Sequence, residues 1–295
     1  MRHHLRIRDW AISACSGRRA AAKAHQRCAD YNWSKLNSMI AHSLAGKVAL
    51  VTGVSRKAGI GAAIARAFAE AGVDVCTTYY RPYDELMPWG NNPSEADDIV
   101  KELKAKGVRA EGIEADLSDP ETPARLFDCI HSSFGFVDIL INNAVCDMEA
   151  DVYSLSASLI DRHYAVNVRA PMLLCAEFAK RHDGRSGGRI INLSSGQGVA
   201  PMPNNLPYAA SKGAVEALTL SISASLAGKG ITVNAIDPGP TDTGWLSDDL
   251  RLKLLKRAPF GRIGTVDDAA KLAFYLASSE AQWVTGQVIR SRGGL

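Results

Sequence analysis

Tyr208 and Lys212 stand four residues apart in YAASK, at the head of an apolar stretch that reads as helix, so both side chains fall on one face. These residue types suit proton transfer. A phenol's unperturbed pKa of about 10 is too high for efficient acid/base work near neutrality. A Lys cation one turn away favours the phenolate and brings it into range. Thirteen residues upstream, just past the apolar run GRIINL, Ser195 in LSSGQG supplies a hydroxyl able to hold a substrate oxygen while Tyr208 exchanges its proton. A Tyr/Lys pair alone is common by chance, and on a helix it usually packs and snorkels. This pair is distinguished by its place behind a Ser and an apolar run.

A second cluster lies in TGVSRKAGIGAAIA, residues 52–65. Gly-rich turns between a strand and a helix let backbone approach a pyrophosphate, and the helix amino end offers free N–H groups and a favourable dipole. Glycines occur at any tight turn, but here an apolar run precedes and an Ala-rich helical pattern follows. Where the next run ends, TTYYRPYDELMPWG (77–90), a dinucleotide fold chooses between a ribose 2′-hydroxyl, which an acid accepts, and a 2′-phosphate, which a cation attracts. The acid's position holds Tyr79 or Tyr80, Arg81 follows, and Arg56 and Lys57 sit in the glycine loop. The missing acid and three cations favour NADP(H), with NAD(H) as the alternative cofactor. The bland reading makes the cations solvated surface residues, and Asp84 or Glu85 could fold back.

These residues must be positioned by alternating strands and helices. Apolar, β-branched runs at 47–52, 73–79, 108–115, 137–143, 188–193, 231–236 and 287–290 read as strands buried on both faces of a parallel sheet. Between them lie helical stretches near 61–71, 94–106, 122–134, 156–182, 208–228 and 266–278. The expectation is one doubly wound α/β domain, a Rossmann fold, over 45–295, preceded by an extension, 1–44. Of 295 residues 46% are hydrophobic and 22% charged, which excludes disordered and fibrous classes, and no apolar run is long enough to span a membrane. The net charge of +3 conceals a basic start: residues 1–38 carry +6 and the remainder −3, against a nucleic-acid surface. That start, rich in Arg, Ala and Ser, reads as a disordered extension with Met39 opening the functional chain, or as a transit-peptide mimic. Six dispersed Cys give neither a disulfide framework nor a metal site, so the default is reduced thiols in the cytoplasm.

With these motifs in order, the chain resembles the short-chain dehydrogenase/reductase family, of the type that includes 3-oxoacyl-carrier-protein reductases. The resemblance rests on TG-x5-GIG at 52–61, Asp116 in ADLSD, INNA at 141–144, Asn167 in YAVN, Ser195, Y-x-x-x-K at 208–212 and DPGPTDT at 237–243, and runs from about residue 45 to the carboxyl end. It implies a catalytic set of Asn167, Ser195, Tyr208 and Lys212: Tyr208 as general acid/base, Lys212 lowering its pKa and binding the nicotinamide ribose, Ser195 steadying the reacting oxygen, Asn167 anchoring a water relay. It implies Gly53, Gly59, Ile60 and Gly61 along the pyrophosphate, Asp116 and Leu117 bracketing the adenine, and Asn143 with Ala144 beneath the adenosine ribose. Pro238, Gly239, Thr241 and Thr243 would face the nicotinamide. The implied activity is interconversion of a ketone or 3-oxoacyl group and its secondary alcohol, by a homotetramer packed through the helices near 156–182 and 208–228. Family members act on acyl carriers, sugars, steroids and small ketones. Rival readings are an NAD-dependent alcohol or sugar dehydrogenase, an enoyl reductase, and a non-catalytic dinucleotide sensor.

Three departures stand out. Five residues, where three are usual, separate Gly53 from Gly59, which could bring Ser55, Arg56 or Lys57 onto the phosphates. Val145 replaces the glycine of an NNAG pattern. The closing D-G-G reads Ser-Arg-Gly-Gly at 291–294, a change expected to bear on the subunit interface more than on chemistry. His163, four residues before Asn167, reads as structural. Trp89, in the long 81–93 segment, suits a lid, a subunit contact or a packed loop, and Trp245 and Leu246 suit a substrate-covering segment.

Overall fold

The computed structural model describes residues 43–295 apart from Ser186. The expectations for the basic extension therefore lie outside the described residues, save at its end. There the fold starts earlier than 45: Leu44 is fully buried, and Ser279 N–H donates to Ser43 Oγ at 3.3 Å.

The chain runs β1 (Val48–Val51), α1 (Ile60–Glu70), β2 (Asp74–Tyr79), α2 (Arg81–Asp84), α3 (Glu95–Lys104), β3 (Ala110–Glu114), α4 (Thr122–Phe134), β4 (Ile139–Asn142), α5 (Ala157–Tyr164), α6 (Ala170–Arg181), β5 (Arg189–Leu193), α7 (Leu206–Leu226), β6 (Thr232–Asp237), β7 (Thr241–Asp242), α8 (Asp248–Arg257), β8 (Gly264–Thr265), α9 (Val266–Ala277) and β9 (Val288–Arg290). Seven strands form one parallel sheet in the order β3-β2-β1-β4-β5-β6-β9, while β7 and β8 make a separate small pair. The seven sequence-assigned strands are all present, as expected of the doubly wound fold. In β1, β4, β5 and β6 every residue is buried, because helices cover both faces. On one face Val48, Leu50, Leu140 and Ile190 meet Leu126, Phe127, Leu174 and Phe178 of α4 and α6. On the other, α1 and α9 pack together.

Strand order reverses between β1 and β4, so the loops leaving these two strands diverge and open a cleft at their carboxyl ends. The 156–182 stretch is not one helix. Between α5 and α6 residues Ala165–Arg169 widen into a π turn, which carries Asn167 into the interior. The sequence also left α2 and α8 unassigned.

Candidate active site

The cleft is shaped first by close backbone approaches. Thr52 Oγ1 accepts from the N–H groups of Asn143 and Ala144, both at 3.0 Å, tying the end of β1 to the end of β4. Gly53 follows at φ +73°, and a Cβ there would lie 2.6 Å from Ala144 Cα. Asn143 Nδ2 donates to Thr52 O at 2.8 Å and Gly53 O at 2.9 Å, and a Cβ on Gly61 would lie 2.6 Å from that nitrogen. Two of the glycines are thus required by packing within the protein. The same bonds revise the expectation for Asn143: its side chain is committed to the glycine loop. Gly59 precedes α1 in extended conformation, with no side-chain cap and no acid in the first turn, so the helix amino end is left open to an anion. Ile60 starts that helix, and Ser55 lies half-buried in the loop before it.

The three cations do not converge. Lys57 pairs with Asp98 and Glu102 at 3.4 and 3.6 Å, and its N–H donates to Glu95 Oε1. Arg56 Nη1 donates to Thr243 O at 3.1 Å while its guanidinium lies 3.9 Å from the Trp89 ring centroid, so it braces the 81–93 segment and the loop after β6. Only Arg81 stands at the end of β2, 4.6 Å over the Tyr79 ring and ion-paired with Glu114 of the neighbouring strand. No acid folds back: buried Asp84 accepts from Trp89 Nε1 at 3.1 Å, and Glu85 accepts from Asn91. Beside them Asp116, which raises the Tyr80 phenol, accepts from Ser118 N–H at Oδ1, 2.8 Å, with buried Leu117 between.

At the carboxyl end of β5 the catalytic candidates gather. Ser195 lies beside Tyr208, near enough for its hydroxyl to act on the phenol. Lys212, 4% exposed, donates from Nζ to Leu193 O at 2.7 Å, and Nζ sits 5.6 Å from the Tyr208 ring centroid. Asn167 is fully engaged: Nδ2 donates to Cys146 O and Ser211 Oγ, and Oδ1 accepts from Cys146 N–H. Asn167 therefore pins the β4 loop to α7, and its side chain bonds neither Tyr208 nor Lys212.

The electrostatics differ from the simple pair picture. Burial pushes the Tyr208 phenol up, with Asp147 and Asp237 adding to the rise and the neighbouring Ser195 hydroxyl opposing it. Burial holds the Lys212 ammonium at about 8, against an upward pull from Asp147. The Lys212 Nζ is turned onto Leu193 O, and burial dominates the shift of the phenol. Asp147 was missed by sequence reasoning, although it follows INNA by only three residues. Its Oδ1 accepts from Asn205 Nδ2 at 2.5 Å, and its N–H donates to Tyr83 Oη at 3.0 Å.

Opposite lies the turn after β6. Gly239, at φ +64°, donates its N–H to Asp237 Oδ1 at 2.9 Å, and Thr241 Oγ1 donates to Pro238 O. Trp245 Nε1 donates to Thr241 O, leaving the ring half exposed. Buried His163 donates from Nδ1 to Leu159 O and accepts Met148 N–H at Nε2, a structural role as expected. Burial raises the Cys146 thiol to about 11, which keeps it un-ionised.

A family profile described as Enoyl-(Acyl carrier protein) reductase matches residues 53–295. The chain is a short-chain dehydrogenase/reductase, and thus an oxidoreductase of the CH–OH/C=O class. It is 44% identical over 250 residues to the uncharacterized oxidoreductase YjdA of Bacillus subtilis, covering 84% of this chain and 96% of that one. It is 34% identical to the 3-oxoacyl-[acyl-carrier-protein] reductase of Staphylococcus aureus, over 84% and 98% of the two chains. A short-chain dehydrogenase from Burkholderia cenocepacia, solved in complex with NADP, superposes with a TM-score of 0.77 at 34% identity, over 85% and 98%. In this dehydrogenase/reductase no helix among the described residues is long and apolar enough to cross a membrane.

Proposed function

We infer that this chain is an NADP(H)-preferring reductase interconverting a ketone or 3-oxoacyl group and its secondary alcohol, with Tyr208 as general acid/base. The observation that carries this reading is the gathering of Ser195, Tyr208 and buried Lys212 at the carboxyl end of β5, with the Lys212 Nζ 5.6 Å from the Tyr208 ring centroid. The residues present fit a dinucleotide: α1 presents an uncapped amino end with no acid in its first turn, and the glycine loop before it leads straight from the end of β1. Arg81, at the end of β2 where no acid stands free, would hold the 2′-phosphate. The nicotinamide, when bound, supplies or accepts the hydride.

The chain's own residues handle the oxygen and its proton. In reduction, Ser195 donates to the substrate carbonyl oxygen, and the Tyr208 hydroxyl delivers its proton as negative charge develops there. In oxidation the ionised phenol takes the alcohol proton. Lys212 spends one of three N–H bonds on Leu193 O, which fixes the ammonium under the site with two donors to spare. The working form is proposed as a homotetramer packed through α5, α6 and α7, in a reducing cytoplasmic setting consistent with free Cys76, Cys129, Cys146 and Cys175.

The test is Tyr208→Phe, with NADPH binding followed by nicotinamide fluorescence and turnover measured on a 3-oxoacyl thioester. Binding is expected to persist while turnover falls at least ~10²-fold, the low end for a lost general acid. Retained turnover would sink the assignment. Wild-type reduction of the matching 2-enoyl thioester, but not of the ketone, would replace it with C=C reduction.

A further inference from the structure

Arg292 belongs to the Ser-Arg-Gly-Gly departure that sequence reasoning set at a subunit interface. Within the protein it lies against the active site. Its Nη1 donates to both carboxylate oxygens of Asp237, at 3.2 and 3.0 Å, and its Nε donates to Leu295 O at 2.9 Å. Asp237 closes β6 and is wholly inaccessible, while the Arg292 side chain is 14% exposed. The carboxylate has a second duty, since Oδ1 also accepts the Gly239 N–H that shapes the turn after β6.

Two glycines report how closely Arg292 is wedged. A Cβ on Gly196, the residue after Ser195, would lie 2.5 Å from Arg292 Nη1. A Cβ on Gly239 would lie 2.9 Å from Arg292 Cγ. One side chain thus fills the space between the Ser195 loop and the Pro238–Gly239 turn. A buried carboxylate needs a counter-ion, so taking away one partner of such a pair strands the other, whereas replacing both is nearly neutral.

We propose that Arg292 is a positioning residue of the active site: by neutralising Asp237 it locks the Pro238–Gly239 turn against the Ser195–Gly196 loop and so builds the nicotinamide side of the cleft. The proposal rests on the cofactor reading above. It distinguishes Arg292 from a merely structural pair, because on that reading the turn it holds would serve the nicotinamide half, while Arg81 and Asp116 would hold the adenosine half.

The experiment titrates the full chain with NADPH and, separately, with 2′,5′-ADP, which lacks the nicotinamide, by calorimetry. Wild type is compared with Arg292→Met, Arg292→Lys and the double variant Asp237→Asn/Arg292→Met. Arg292→Met is expected to weaken NADPH about tenfold while holding 2′,5′-ADP within about twofold. The double variant regains most of the NADPH affinity, and Arg292→Lys, which keeps the charge, stays near wild type. The inference is overturned if Arg292→Met binds NADPH like wild type, if it loses both ligands equally, or if the double variant does no better than the single one. Wild-type protein that binds neither NADPH nor NADH would overturn the cofactor reading, and the role of Arg292 with it.

Discussion

Lys212→Met should make the protein more stable at neutral pH while abolishing turnover. Holding the ammonium at about 8 instead of its ordinary 10.5 penalises the folded state by about 3 kcal/mol wherever both folded and unfolded chains carry the charge. Because the folded value is depressed, the full penalty is present below it. The penalty fades as pH rises from the folded toward the unfolded value, since only the folded chain has then released its proton. Methionine fills a similar volume without charge, and its one loss is the bond from Nζ to Leu193 O, about 1–2 kcal/mol. The net gain at neutral pH is about 1–2 kcal/mol, or roughly 3–6 °C in Tm for a domain of this size. By about pH 10 the penalty has nearly gone, so the variant loses its advantage and falls below wild type. Urea and thermal melts of the apoprotein across this range read both parts. A variant less stable than wild type at neutral pH, or an advantage that does not shrink on the alkaline side, would refute the reasoning.

Arg81→Ala should weaken NADPH about tenfold, equal to about 1.4 kcal/mol, and leave NADH unchanged in parallel fluorescence titrations; equal losses would remove Arg81 from the 2′-phosphate. Gly61→Ala puts a methyl group 2.6 Å from Asn143 Nδ2 and should cost about 1–3 kcal/mol through two weakened hydrogen bonds, read by urea denaturation, with weaker NADPH binding. Asp147→Asn removes an acid that pushes the Tyr208 phenol up, so the ionised phenol forms at lower pH. The acid limb of the pH–rate profile for alcohol oxidation should therefore move toward lower pH, and an unmoved limb would show that Asp147 does not act on Tyr208.

The sheet was legible because its strands are covered on both sides: runs such as ILIN in β4 and RIINL in β5 are buried throughout, and burial on both faces forces nearly unbroken apolar sequence. Tyr208 and Lys212 were legible for a local reason, since one helix carries both and spacing alone puts them on one face. The loops were different. Lys57 is taken up by Asp98 and Glu102, acids that lie 41 and 45 positions away. Counting cations near the glycine loop could not foretell which ones remain for a phosphate. The π turn at Ala165–Arg169 was equally hidden, because Asn167 is drawn inward by Cys146 and Ser211, again distant in sequence.

The acids around Tyr208 extend the same lesson to chemistry. Local reading supplied one cation and one phenol, and from these a lowered pKa. Folding adds Asp147 from the β4 loop and Asp237 from the end of β6, both of which act against the phenolate. Asp237 is matched by Arg292 within hydrogen-bond distance, whereas the Asp147 carboxylate accepts from the uncharged Asn205 amide. The negative charge of Asp147 is therefore less closely matched than that of Asp237, its cation being the Lys212 ammonium at longer range. It favours substrates that present a hydrogen-bond donor there and disfavours a carboxylate at the same point, since like charges at short range repel. A neutral 3-oxoacyl thioester should accordingly be turned over in preference to the free 3-oxo acid, and Asp147→Asn should narrow the ratio of their kcat/KM values.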